Sequence, residues 1–485
     1  MENNSPAAWE TVIGLEIHVQ VNSRSKAFCA DKNEFTTDPN VNISPITLAH
    51  PGTLPRANSY QIKSAAKLGL AFGSEINQIN YFDRKNYFYP DLPKGYQITQ
   101  DAKPICVGGN FTFPMPGGKT KTIRIHHLHM EEDAGKSIHD IDPGSTLLDY
   151  NRAGVPLIEI VTEPDLRSSE EVYYFIQYMQ ILVRNLGISD GNMEEGSFRC
   201  DCNVSVMPGG SKTLGTRCEI KNLNSKRFAK LAIEYESTRQ IKAISRGETI
   251  IQTTLLFDSN KGITYAMRDK EQVNDYRYFN DPDIPPVYLT EEILAEIKSE
   301  MVPTPMDNFQ YLKDNYDLTQ AEIEVLVESQ KVINLLKGCD ELKIDKRESA
   351  LLLINKIIPE WDTYGLTRLS PEAIIARMQS FIAIYQNNKV SKSMAYQNLF
   401  QHIWQDLDKT VEEIAMSNNL ILSQDTDALG ALVLEIITAN PDKVNAYSKG
   451  KKGLIGFFMG EGMKKSKGKY DPKTLNKAFM EKLSN

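Results

Sequence analysis

Tryptophan, cysteine and histidine are scarce in this 485-residue chain, at three, six and seven residues. Six cysteines in so long a chain do not make a disulfide framework, which excludes a small cross-linked secreted module and points to a reducing, cytoplasmic setting. No apolar run approaches the ~20 residues a membrane-spanning helix needs, so no membrane association is expected. The opening M-E-N-N-S-P-A-A-W-E is polar and acidic, and is expected to be neither a secretory signal nor an Arg-rich transit peptide. A P-loop is also missing. P-G-G-K-T (Pro116 to Thr120) ends like one, but Phe113 stands where the first glycine belongs, so the stretch reads as a hairpin turn. There is neither an N-terminal cysteine nucleophile nor a Ser-rich amidase loop, so ammonia chemistry here would need ammonia made elsewhere.

Hydrophobic residues make up 41% of the chain and charged residues 24%, the ordinary globular range, and the length allows about two to four domains. The net charge of −8 argues against a uniformly basic nucleic-acid binder, but the charge is unevenly spread. From Pro441 to Asn485 there are eleven lysines, no arginine and four acids, a local +7 that leaves −15 on the rest. That split fits an acidic catalytic body with a basic tail for a polyanion; a merely solvated lysine-rich tail fits it equally.

To about Thr290 the chain alternates short β-patterned runs with Gly/Pro turns. It is interrupted by one helix starting at Ser168, with a capping box to Glu171, and another over roughly Lys226–Arg246. Helical periodicity dominates afterwards. These patterns predict an α+β fold: an N-terminal domain on a largely antiparallel sheet with helices (1–290), then two all-helical domains (291–405 and 406–485).

The chemistry-bearing residues lie on strands. In V-I-G-L-E-I-H-V-Q-V (Val12 to Val21), Ile13, Leu15, Ile17, Val19 and Val21 form one face, and Gly14, Glu16, His18 and Gln20 the other. F-R-C-D-C-N-V-S-V places Arg199, Asp201, Asn203 and Ser205 together. T-R-C-E-I-K does the same for Arg217, Glu219 and Lys221, and the two runs read as a hairpin. Alternation puts Cys200, Cys202 and Cys218 with the apolar residues, which favours core packing over a zinc site lacking a fourth ligand. Glu159 interrupts an otherwise apolar run, V-P-L-I-E-I-V-T. Three histidines and three acids crowd His126 to Asp133, where periodicity does not choose between Glu131 and Glu132. Hard oxygen ligands with an imidazole suit Mg²⁺ or Mn²⁺, and Arg199, Arg217 and Lys221 could bind phosphate oxygens.

Together G-L-E-I-H-V-Q, D-R-K-N-Y-F-Y-P-D-L-P-K-G-Y-Q-I-T-Q, L-H-M-E-E-D-A-G-K-S, N-R-A-G-V-P-L-I-E-I-V-T-E-P-D, M-E-E-G-S-F-R-C-D-C-N-V-S-V, E-I-K-N-L-N-S and D-Y-R-Y-F-N-D-P-D-I-P-P closely resemble the B subunit of the aspartyl/glutamyl-tRNA amidotransferase. The resemblance covers nearly the whole chain, more loosely in the tail. It departs at Asn280, where the family usually has Pro, and at Met207, where it often has Arg.

The resemblance implies a carbon–nitrogen ligase that uses glutamine as amide donor. With ATP and Mg²⁺, the B subunit phosphorylates the side-chain carboxylate of Glu-tRNA(Gln) or Asp-tRNA(Asn). Ammonia from the glutaminase (amidase) A subunit then displaces phosphate, in a complex that also holds a small C subunit. Carried over by position, Glu16, His18, Glu131 or Glu132, and Glu159 would line metal sites and the ammonia path. Lys85, Arg199, Asp201, Glu219 and Lys221 would surround ATP and the acyl phosphate. Lys464, Lys465, Lys467 and Lys469 would contact tRNA. Two other readings compete: a free-standing ATP-dependent carboxylate–amine ligase, and a non-catalytic tRNA-binding scaffold.

Overall fold

The computed structural model describes residues 9–139, 141–142, 144–267, 275–423, 425–466 and 468–484. They divide into two compact units: one takes the chain up to Asn315 with Val327–Gln330, the other Tyr316–Leu326 and Lys331 onward.

A ten-stranded sheet organises the first unit. Its strands are β1 (Trp9–Gln20), β2 (Glu75–Ile76), β3 (Cys106–Val107), β4 (Asn110–Met115), β5 (Lys119–Glu132), β6 (Pro156–Thr162), β7 (Phe198–Pro208), β8 (Cys218–Lys221), β9 (Thr254–Asp258) and β10 (Ile263–Ala266). They lie in the order β10-β9-β8-β7-β1-β6-β5-β3-β2, with β4 paired to β5. Every pair is antiparallel except β8 with β9. The expected P-G-G turn joins β4 to β5. Gly117 and Gly118 both take φ +74°, a left-handed conformation that glycine adopts without steric cost.

Period-two alternation decides the faces. Ile13, Leu15, Ile17 and Val19 of β1 are essentially fully buried, whereas Glu16, His18 and Gln20 are half-buried on the opposite side. Cys200, Cys202 and Cys218 lie buried with the apolar residues, and all six cysteines are free thiols. Helices α1 (Ser59–Phe72), α2 (Ser169–Asn185) and α3 (Lys226–Ser245) complete the layer, with α2 packed on α3 and α3 on β7. Helix α2 starts as expected, Ser168 accepting from the Glu171 N–H at 3.1 Å. The reciprocal arm differs: the Glu171 carboxylate accepts from the Arg167 N–H at 2.7 Å and pairs with Lys121 at 3.0 Å. An ion pair competes with the capping geometry there.

The second unit is helical. Near its end, Thr426–Ala439, Pro441–Ser448, Ile455–Lys465 and Pro472–Ser484 close round Val433, Ile436, Phe458, Leu475 and Phe479. Gly462 lets two of these helices approach: a Cβ there would stand 2.9 Å from both Leu475 and Phe479 side chains. No helix of the described residues is long and apolar enough to cross a membrane.

Candidate active site

Strand register gathers residues from distant parts of the sequence. Antiparallel pairing sets Glu159 opposite His18, His129 opposite Glu159 and Arg199 opposite His18. One cross-strand row therefore reads His129–Glu159–His18–Arg199. Strands lie about 4.8 Å apart, so side chains in such a row touch. Next along β1, Glu16 faces Asp201, and beyond it Asn203 faces Glu219.

The same register separates Glu131 from Glu132. His127, His129 and Glu131 pair with Val161, Glu159 and Leu157 and share the polar face. Glu132, opposite Pro156, turns the other way. There its carboxylate pairs with Lys94 and accepts the Ile98 N–H at 3.0 Å. Of the two candidates, only Glu131 joins His18.

His18 Nε2 lies 3.4 Å from Glu131 Oε1 and 3.2 Å from Glu159 Oε2. His129 Nε2 lies 3.3 Å from the same Glu159 oxygen and 3.8 Å from Glu131 Oε2. Burial alone would strip the proton from either imidazole. The two carboxylates outweigh it, so His18 is raised and His129 is pushed up to about 10. Burial also opposes ionisation of Glu159, but hydrogen bonds from His129 and His18 hold it well below the usual carboxylate range. His127 goes the other way: burial, with the charges of His129 and His126, lowers it to about 4.

A second group adjoins the first. Lys221 Nζ bridges Asp201 Oδ2 at 2.9 Å and Glu219 Oε1 at 2.6 Å, and Thr254 donates to Glu219 Oε2 at 3.0 Å. Burial works against the Lys221 ammonium, but Asp201 and Glu219 raise its pKa overall. Glu16 lies between the groups and accepts from Asn203 Nδ2 at 2.9 Å; burial and then Glu159 push its carboxyl up. Two cavities of about 200 and 130 Å³ open here, both lined by Glu16, Asn203 and Arg217. Arg199 leans away from this group to Asp133 Oδ2 at 2.9 Å, an oxygen that also accepts from Gln20 at 3.1 Å.

Lys85 makes no ion pair with these carboxylates among the described residues. It lies on Asp83–Asn86, in a separate three-stranded sheet, with its ammonium 4.8 Å from the Tyr276 ring centre. In the helical unit Lys464, Lys465 and Lys469 are exposed, and Lys465 pairs with Glu435 at 2.7 Å. Lys467 lies outside the described residues. Sequence reasoning marked the His126–Asp133 cluster without singling out His129 or Asp133, and it missed Gln97, whose side-chain amide donates to Glu131 Oε2 at 3.1 Å. The signal for His129 was its place two residues before Glu131.

His18, Glu131 and Glu159 each offer a donor atom, all within 4.8 Å of one another. Bonds of about 2.1 Å put neighbouring ligands of one Mg²⁺ roughly 3.0 Å apart, and His18 Nε2 lies 3.2 and 3.4 Å from its two carboxylate neighbours, so the set fits a small divalent cation. Two carboxylates and one imidazole match a hard cation that keeps several waters.

The GatB/GatE catalytic domain model matches residues 11–295, and the GatB domain model matches residues 345–483. A Trichlorobacter lovleyi protein that bears the name of the aspartyl/glutamyl-tRNA(Asn/Gln) amidotransferase B subunit is 40% identical over 476 residues, covering 98% of this chain and 99% of its own length. Proteins of the same name from Bdellovibrio bacteriovorus and Rickettsia bellii are each 40% identical, over 480 and 483 residues. Those two alignments cover 99% and 100% of this chain, and 100% and 99% of the relatives.

Proposed function

The chain belongs to the family of aspartyl/glutamyl-tRNA(Asn/Gln) amidotransferase B subunits, and on that premise we propose that its polar sheet face carries out the ATP-dependent activation and amidation of Glu-tRNA(Gln), Asp-tRNA(Asn) or both. One observation carries the reading: a carboxylate–imidazole cluster and a lysine-bridged pair of carboxylates share this face, with Glu16 between them.

A carboxylate is a poor electrophile, so the side-chain oxygen of the aminoacyl group first attacks the γ-phosphorus of ATP and ADP leaves. Ammonia then attacks the carbonyl carbon of the acyl phosphate. The carbon–oxygen bond breaks, phosphate departs and the attacking nitrogen gives up a proton. In-line phosphoryl transfer needs positioning and charge compensation rather than a covalent nucleophile. Lys221 supplies a positive charge that Asp201 and Glu219 fix in place, while Arg199 and Arg217 border the same face. Lys85 is assigned to ATP or the acyl phosphate as a further cation. Mg²⁺ at His18, Glu131 and Glu159, beside Glu16, would supply Lewis-acid compensation of phosphoryl charge. Glu132 has no part in that set.

Two partners complete the complex: the glutaminase (amidase) A subunit, which supplies ammonia, and the small C subunit. The helical stretch 406–485 is assigned to tRNA binding, with Lys464, Lys465, Lys467 and Lys469 on its phosphates. Six free cysteines fit a cytoplasmic setting. Asp201→Ala in the reconstituted complex is the test. Loss of tRNA-dependent ATP turnover is expected, and turnover at the normal rate would refute the site.

A further inference from the structure

Strand β5 carries three histidines close together, His126, His127 and His129. Strict alternation would aim the neighbours His126 and His127 to opposite faces of the sheet. The register against β6 shifts at this point. Val161 pairs with His127 and Thr162 with Ile125, so His126 is the extra residue of a β-bulge. The bulge re-aims its ring: His126 Nδ1 lies 2.6 Å from His127 Nδ1, and His127 Nε2 lies 3.2 Å from His129 Nδ1. His129 Nε2 in turn reaches Glu159 Oε2 at 3.3 Å. The three rings form a ladder from the exposed His126, through the half-buried His127, to His129, whose side chain is 11% exposed.

We propose that His127 is a positioning residue for the carboxylate–imidazole cluster: it fixes the ring of His129, which holds Glu159, and His126 fixes His127 from the solvent side. The inference rests on the metal role given to Glu159 above. A neutral imidazole has one N–H and one acceptor nitrogen. Burial and the neighbouring imidazoles keep His127 neutral at pH 7, with one nitrogen for His129 and the other for His126. Either direction of the two hydrogen bonds satisfies both of its nitrogens. Groups standing behind metal ligands set the orientation and basicity of those ligands.

Histidines that merely decorate a polar surface leave their ring nitrogens to water. His127 turns both of its nitrogens to other rings, and its plane lies 22° from that of His129 with ring centres 5.2 Å apart. Among the described residues, His127 is the one hydrogen-bond partner of His129 Nδ1. Without it that nitrogen would stand unpaired in a largely buried place, and the ring would be free to turn its Nε2 off Glu159. Glu159 would then keep only His18 of its two imidazoles. The bulge is pinned on its other side as well: the Gly108 N–H donates to the His126 carbonyl at 3.0 Å, and the Ile125 N–H donates to the Gly109 carbonyl at 2.9 Å.

The test uses the full chain assembled with its partner subunits, and Mn²⁺ alone as the probe. Free Mn²⁺ is read by electron paramagnetic resonance without ATP or tRNA, and the site in question is the one that Glu159→Gln weakens. His127→Leu is expected to weaken that site about tenfold, whereas His127→Gln, which restores a polar atom towards His129, should stay within about twofold of wild type. His126→Ala, at an exposed side chain where folding is not at issue, is expected to weaken it about threefold. The same order should appear in the Mg²⁺ concentration giving half-maximal amidation, with the loss recovered at saturating Mg²⁺. Mn²⁺ binding unchanged in both His127→Leu and His126→Ala would overturn the assignment. So would a lower rate at saturating Mg²⁺ with the Mg²⁺ requirement unmoved, or a His127→Gln complex as weak as His127→Leu. A wild-type complex that binds Mn²⁺ at this site yet amidates no aminoacyl-tRNA would overturn the function proposed above and leave the positioning role standing.

Discussion

Glu159 stands directly opposite His18 across the β1–β6 pairing, with its Oε2 3.2 Å from His18 Nε2 and 3.3 Å from His129 Nε2. One carboxylate thus bridges two imidazoles brought from strands more than a hundred residues apart. Glu159→Gln keeps the shape and removes the charge both rings depend on. We expect a loss of about 3 kcal/mol in unfolding free energy and at least a tenfold rise in the Mg²⁺ concentration giving half-maximal amidation. Denaturant unfolding and a Mg²⁺ titration of the reconstituted complex would read the two effects separately.

His129 is placed to orient this cluster from behind. His129→Asn is expected to weaken metal dependence by about 10–100-fold while leaving the glutaminase step of the complex intact. A change confined to kcat, with the Mg²⁺ requirement unmoved, would argue for a role in the chemistry instead.

His127 gives a pH dependence of definite sign. Its folded value near 4 lies below the ordinary 6.5, because burial and the neighbouring His129 and His126 disfavour its charge, while Glu159 partly offsets them. The unfolded chain therefore binds this proton more readily, and stability falls as pH drops from about 6.5 towards 4. Replacing His127 by Gln should remove roughly 1–3 kcal/mol of that acid loss. Unfolding midpoints of the two proteins at pH 7 and pH 5 would show the difference, which should appear only at the lower pH.

How far the sequence exposes all this depends on how local the determining interaction is. The half-buried β1 strand, the α2 and α3 boundaries and the β7–β8 hairpin follow from period and turn residues alone, and the structure has each of them. The choice between Glu131 and Glu132 does not. It depends on the register of β5 against β6, which includes an irregularity at Val161/Thr162, and so on residues thirty positions away. Lys85 groups by motif with the phosphate-side residues, yet it lies on a small separate sheet over Tyr276. The lysine excess of the tail is plain from composition, whereas the capture of Lys465 by Glu435 is a tertiary event.

That capture shapes the behaviour expected of the tail. Neutralising Lys464 and Lys469 should each lower the slope of log affinity for tRNA against log salt by about 0.7–0.9, as expected for one phosphate contact apiece. Lys465→Gln should do less, because its charge is partly spent on Glu435. Binding isotherms at several salt concentrations would test this, and equal slopes in all three variants would contradict direct contacts.

Gly462→Ala tests the packing that holds the terminal helices. A methyl group 2.9 Å from Leu475 and Phe479 forces buried side chains to shift. We expect a cost of about 1–3 kcal/mol, seen as a lower melting temperature, with tRNA affinity falling in step.

The central claim is that this sheet face makes an acyl phosphate. The most direct measurement incubates the reconstituted complex with ATP, Mg²⁺ and Glu-tRNA(Gln), withholds glutamine and ammonia, and traps the product with hydroxylamine. The account predicts a tRNA-linked hydroxamate formed in step with ADP by the wild type. Asp201→Asn should form none while still binding the tRNA. Undiminished hydroxamate from Asp201→Asn, or ADP release by the wild type without any hydroxamate, would contradict it.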